Sequence, residues 1–228
     1  TDINENPGLR RIYTFGPPTS GHMMLPTHAL IGMALSLPVA LSAPEFAPVA
    51  LLAGLLGGVF PDLDLYSGHR RTLHYPTLYP VAFVPAALLA VALPIPTTVG
   101  LAVGLAAAAA HCRMDIYGSG LELRPWEGNS EQAVYDHVGS EWIEPRRLVA
   151  YDGSTGDLAI ATAVAVPLFF VVEGAFVAVV VAALLVGGAY TLLRRHLAEL
   201  APVVFGIVPE ALARYVPERY RTESASGR

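Results

Sequence analysis

Between two long apolar runs, the stretch from Phe60 to Pro76 gathers Asp62, Asp64, His69 and His74 within thirteen positions. Carboxylates and imidazoles together are the donor set of hydrolytic zinc, manganese or magnesium sites. Two further groups have the same chemistry. Pro26-Thr27-His28 opens the first apolar run, and His111 and Asp115 stand at i and i+4 after five alanines, on one helix face. Arg70 and Arg71, inside the central stretch, could offset charge building on a phosphoryl oxygen, or simply be the arginines that flank a membrane. Plainer readings exist for the others. His28 suits a helix's first turn, Asp62 and Asp64 could solvate a helix end, and His69 and His74 could anchor at headgroup level. Tyr135-Asp136-His137 is either a supporting acid–base group or a surface feature. Cys112 falls on a different helix face from His111, and His196 follows Arg194 and Arg195 where a helix end favours cations.

The elements that must position these groups are hydrophobic. The chain has 228 residues, 54% hydrophobic and only 14% charged, with a mean hydropathy of +0.49; soluble domains carry about 25% charged residues. Six apolar runs cover residues 28–42, 46–60, 77–93, 97–116, 157–172 and 174–195. Several are shorter than the ~20 residues of a full span. Threading six spans through a bilayer sorts the charges. Arg10, Arg11, Arg70, Arg71, Arg113, Arg124, Arg146, Arg147, Arg194, Arg195 and the tail arginines fall on one side, while the other holds only Glu45 and Glu173. The positive-inside rule makes the arginine side cytoplasmic. The same threading brings His28, Asp62, Asp64, His69, His74, His111 and Asp115 to a common depth. Ionisable groups there are costly without partners, and a shared metal would satisfy them.

Other classes are excluded. A net charge of −5 with no basic block argues against nucleic acid as a partner. A single cysteine permits no internal disulfide. No G-x-S-x-G elbow or G-x-G-x-x-G loop is present, so serine-nucleophile and dinucleotide chemistry lack support. Gly54, Gly57 and Gly58 suggest close helix packing. Residues 1–23 contain no apolar run and read as a polar tail rather than a signal peptide; His22 lies there and is not expected to ligate.

The predicted fold is an all-α, polytopic helical membrane protein with about six hydrophobic helices and a polar cytoplasmic cap. Its parts are the tail 1–23, a metal-site membrane core 24–126, a cap or lid 127–156 with little predictable structure, a membrane hairpin 157–195, and interfacial segments with a disordered tail at 196–228.

These motifs resemble the YdjM-like family of membrane-bound metal-dependent hydrolases. The resemblance rests on Pro26-Thr27-His28, Phe60-Pro-Asp62-Leu-Asp64, Gly68-His69-Arg70, His74, and His111-x-x-x-Asp115 followed by Gly118 to Trp126. It spans roughly residues 24–126. Thr72 stands one place earlier than the family's threonine and Tyr75 replaces its serine, which implies different hydrogen bonding around His74. The resemblance implies metal-dependent hydrolysis without fixing a substrate.

The expected function is therefore hydrolysis at the cytoplasmic face of the cell membrane by water activated on one or two divalent ions, zinc foremost, with manganese or magnesium as alternatives. Expected ligands are His28, Asp62, His69, His74, His111 and Asp115. Asp64, or Asp115 where it is not a ligand, is the expected base, with Arg70 and Arg71 on the substrate's charge. The interfacial position suggests a phosphoester or lipid-linked substrate. The rival is a non-catalytic metal carrier or scaffold, although a carrier would place its ligands near the bilayer midplane.

Overall fold

The computed structural model describes residues 23–209 and residue 216, and it is predominantly helical. Every predicted apolar run forms helix. The first is α1 (Leu25–Ala34) and α2 (Leu37–Ser42), the second α3 (Ala47–Val59), the third α4 (Leu78–Ala92), the fourth α5 (Pro96–Tyr117), and the last two α6 (Thr155–Phe169) and α7 (Ala175–Gly206). Among the described residues, four segments are long and apolar enough to cross a membrane: Leu25–Ser42, Pro44–Leu65, Pro96–Tyr117 and Ala175–Gly206. α4 and α6, at 15 residues each, are shorter.

Local chemistry sets the boundaries. Pro38 near the start of α2 cannot donate to the preceding turn, which breaks the first span after Leu35. α5 starts on Pro96, whose missing N–H costs nothing at a first helical position. The backbone N–H of Ile95 donates to Thr98 Oγ1 over 3.2 Å. At α6, Ser154 Oγ accepts from Asp157 N, a side-chain cap that satisfies one of the free N–H groups at the helix start. α7 runs on past residue 195, where its apolar run was expected to end, through Pro202 to Gly206. Its 32 residues give about 48 Å of helix, well beyond the ~30 Å of a hydrocarbon core.

α3 lies at the centre, against α1 on one side and α5 on the other. Both contacts depend on glycine. A Cβ on Gly32 would sit 2.2 Å from Gly54 O, and one on Gly57 the same distance from Gly104 O. Met24, Leu30, Met33, Leu51, Ala165, Leu168 and Val180 form the core that binds α1 and α3 to α6 and α7.

The segment 127–156 is more ordered in form than expected. It carries an antiparallel hairpin, β1 (Val134–Asp136) with β2 (Glu141–Ile143), in which Tyr135 opposes Trp142. This departs from a purely all-α fold. Backbone bonds stitch the segment to the end of α5, from Arg146 N to Ile116 O at 2.7 Å and from Leu148 N to Tyr117 O at 2.8 Å. The tail with His22 and most of the segment after 209 lie outside the described residues.

Candidate metal centre

His28 sits in the first turn of α1, and Asp62 and Asp64 in the 3₁₀ turn Phe60–Tyr66 that continues α3. His69 and His74 follow in the loop before α4, and His111 and Asp115 occupy the last two turns of α5. Their elements meet at one end of the bundle. Asp62, His74, His111 and Asp115 each offer a ligand atom, and these atoms all lie within 4.8 Å of one another. Asp115 Oδ2 is 3.1 Å from His74 Nε2 and 3.3 Å from His111 Nε2. Asp62 Oδ1 is 3.8 and 3.5 Å from the same two nitrogens. His28 flanks the group, its Nε2 at 3.2 Å from Asp115 Oδ1 and its ring stacked on His111 at 3.8 Å.

The imidazoles are aimed from behind. His111 Nδ1 donates to Gly58 O at 2.7 Å, and His74 Nδ1 donates to Asp64 Oδ2 at 2.9 Å. Each bond fixes the tautomer and turns Nε2 toward the carboxylates, the usual arrangement behind a metal-bound histidine. His28 Nδ1 is buried without a hydrogen-bond partner, while Nε2 of His28 and of His111 lie near Asp115 oxygens but outside hydrogen-bond geometry. Orphaned buried polar atoms are expensive, and a cation among them would relieve the cost. The residues thus fit a divalent metal with mixed nitrogen and oxygen ligands. Burial opposes charge on His74, but its bonds to Asp115 and Asp64 outweigh that and raise its pKa above the ordinary imidazole value.

Four of the expected site residues are placed differently. His69 is outside the group of converging ligand atoms, its ring centroid 5.8 Å from that of His74, with its Nδ1 on Asp64 Oδ1 at 3.0 Å. Asp64 accepts from both histidines and from the backbone N–H groups of Arg70 and Leu73, so it orients neighbours rather than acting as the base. Arg70 is buried, donating to Asp115 Oδ1 at 2.8 Å and to the carbonyls of Ser119 and Ala133. It is a positioning residue locking the ligand loop to α5 and the cap, despite a left-handed backbone at φ 62°. Arg71 packs its guanidinium 4.5 Å over the Tyr135 ring, on the hairpin. Tyr135 and His137 belong to that same surface, where His137 Nε2 donates to Arg71 O. Thr72 donates to Ser67 O, and Tyr75 packs on Tyr79, so neither replaces a partner of His74.

Some contributors escape a reading of residue types. Asp157 accepts from Met24 N and Thr27 Oγ1, both at 2.6 Å, and from Gly153 N, pinning the start of α1, and hence His28, to α6. The only sequence signal is the Ser154-x-x-Asp157 spacing. Beside the centre lies a cavity of about 620 Å³, lined at one wall by Asp62, His69, Arg70 and Asp115. Comparison of the chain with models of known protein families, with curated proteins and with solved structures finds no match.

Proposed function

We propose that the protein is a membrane-embedded, metal-dependent hydrolase acting on a phosphoester, in keeping with the YdjM-like resemblance of its motifs. The observation that carries this reading is the convergence of Asp62, His74, His111 and Asp115, each on a different turn or helix face, with both imidazoles oriented from behind. Those four residues would hold the metal, with His28 beside them. Two imidazoles and two carboxylates suit zinc or manganese, and the bound ion would supply an activated water and a Lewis acid.

The remaining residues have separable tasks. Asp62 is 23% exposed where the other three are buried, so it marks the side from which substrate arrives. His69 lines the cavity, and its Nδ1–H is anchored on Asp64. A carboxylate that orients an imidazole makes that imidazole a good proton carrier at its other nitrogen. We assign His69 to take the proton of the attacking water and return it to the leaving oxygen. The cavity favours an enzyme over a carrier, because a carrier has no use for an organic-sized chamber beside its ion.

The test separates metal binding from proton transfer. His69→Gln keeps metal content at the wild-type level and lowers phosphoester turnover by about 10²–10⁴-fold. Loss of metal in that variant, or unchanged turnover, would remove His69 from the reaction.

A further inference from the structure

The cavity beside the metal centre is polar at Asp62, His69, Arg70 and Asp115 and again where Asp152 pairs with Tyr190. The rest of its lining is apolar, with Met24, Ala29 and Val59 facing Val179, Ala183 and Val186 of α7. The α7 residues of the lining run from Val179 to Tyr190, about 16 Å of helix at 1.5 Å per residue. A volume near 620 Å³ falls among the ~300–1,000 Å³ pockets that bury whole organic ligands. Two of its lining residues, Leu25 and Val186, are 45% and 57% exposed. The chamber therefore opens sideways between α1 and α7. Of the four candidate spans, α7 has the smallest share buried inside the protein, so this opening faces the bilayer.

We infer that the substrate is the phosphate ester of a long-chain amphiphile drawn laterally from the bilayer, with its phosphate at the metal that Asp62 and Asp115 would help to hold and its hydrocarbon chain in the α1–α7 cavity. The inference rests on the hydrolase reading above and names its substrate class. A small soluble phosphoester would leave the apolar wall unused, whereas each buried methylene contributes to binding. In the reaction, the water oxygen bonds to phosphorus and the bond from phosphorus to the chain-bearing oxygen breaks. The water proton passes to His69 and on to that leaving oxygen, giving an alcohol and inorganic phosphate.

The experiment uses the full chain in nanodiscs with two probes, lysophosphatidic acid carrying a diazirine in its chain and glycerol 3-phosphate. Photolabelling of the wild type is expected on α7 between Val179 and Val186. Val179→Phe and Ala183→Trp each fill the cavity, and excluding two or three methylenes lowers labelling and lysophosphatidic acid turnover about tenfold or more. Metal content and glycerol 3-phosphate turnover stay unchanged in both variants. Labels that fall away from α1 and α7, or labelling indifferent to both substitutions, overturn the inference. Label on α7 with phosphate released from neither probe overturns the hydrolase reading, and the substrate assignment with it, while leaving α7 as a lipid-binding wall.

Discussion

Asp115 is the residue on which the centre turns. It lies within 3.3 Å of nitrogens from His28, Arg70, His74 and His111, and it is buried. Arg70 takes one oxygen, so the other is left to face His74 and His111. That division explains why an arginine stands among candidate metal ligands: it offsets a carboxylate in a buried site and cannot itself ligate a cation. Sequence alone does not separate this role from a substrate-binding one, because an arginine beside an apolar run looks the same in both. Protons and metal compete for the imidazoles. Asp115 and Asp64 raise the pKa of His74, so without metal it keeps its proton to higher pH than an ordinary imidazole. Metal affinity should therefore increase with pH, by up to about tenfold per unit for one displaced proton, and level off once His74 is deprotonated. Isothermal titration at several pH values checks this, and a pH-independent affinity would contradict it.

At the scale of elements, the α1–α3 contact governs the site as much as the ligands do. A Cβ on Gly58 would lie 2.4 Å from His28 O, and Gly58 O is the acceptor that aims His111. Gly58→Ala should destabilise the fold by about 1–3 kcal/mol through overpacking and weaken metal binding as His28 and His111 are displaced. Gly188→Ala, with nothing within 4 Å of its added Cβ, is the control; thermal melting and metal titration of both variants make the comparison. The ligands were legible because Asp and His interrupt apolar helices, where any polar group needs a reason. His69 stands outside the converging group because residue type and spacing do not show which histidine of the loop turns toward Asp62 and Asp115. The hairpin stayed hidden because its strands are three residues each, too short for an alternating pattern. Thr27 and Asp157 were missed because a pair 130 positions apart leaves no local signal.

For the whole molecule, the centre defines one end of the bundle. The starts of α1 and α6 meet through Met24 and Asp157, and the ends of α3 and α5 meet at the ligands, so Glu45 and Glu173 lie at the opposite end. The six apolar runs are all helices, but among the described residues four segments have the length to cross a membrane, since an apolar run in sequence does not tell a span from a shorter packed helix. We expect the ligand end, rich in arginine, to face the cytoplasm. Single cysteines at 45 and 173 in a Cys112→Ala background should then react with an impermeant thiol reagent on intact cells, and a cysteine in 127–156 should not; the reverse pattern would invert the orientation.

The claim beneath all of these is that the cluster binds a metal, and metal content of the purified protein tests it most directly. Elemental analysis of wild type beside His111→Ala/Asp115→Ala, with X-ray absorption on the wild type, should find a divalent metal at stoichiometric level, held by nitrogen and oxygen ligands at about 2.0–2.2 Å, and its loss in a double variant that still folds. A wild type without metal, or a double variant that retains it in full, would contradict the assignment.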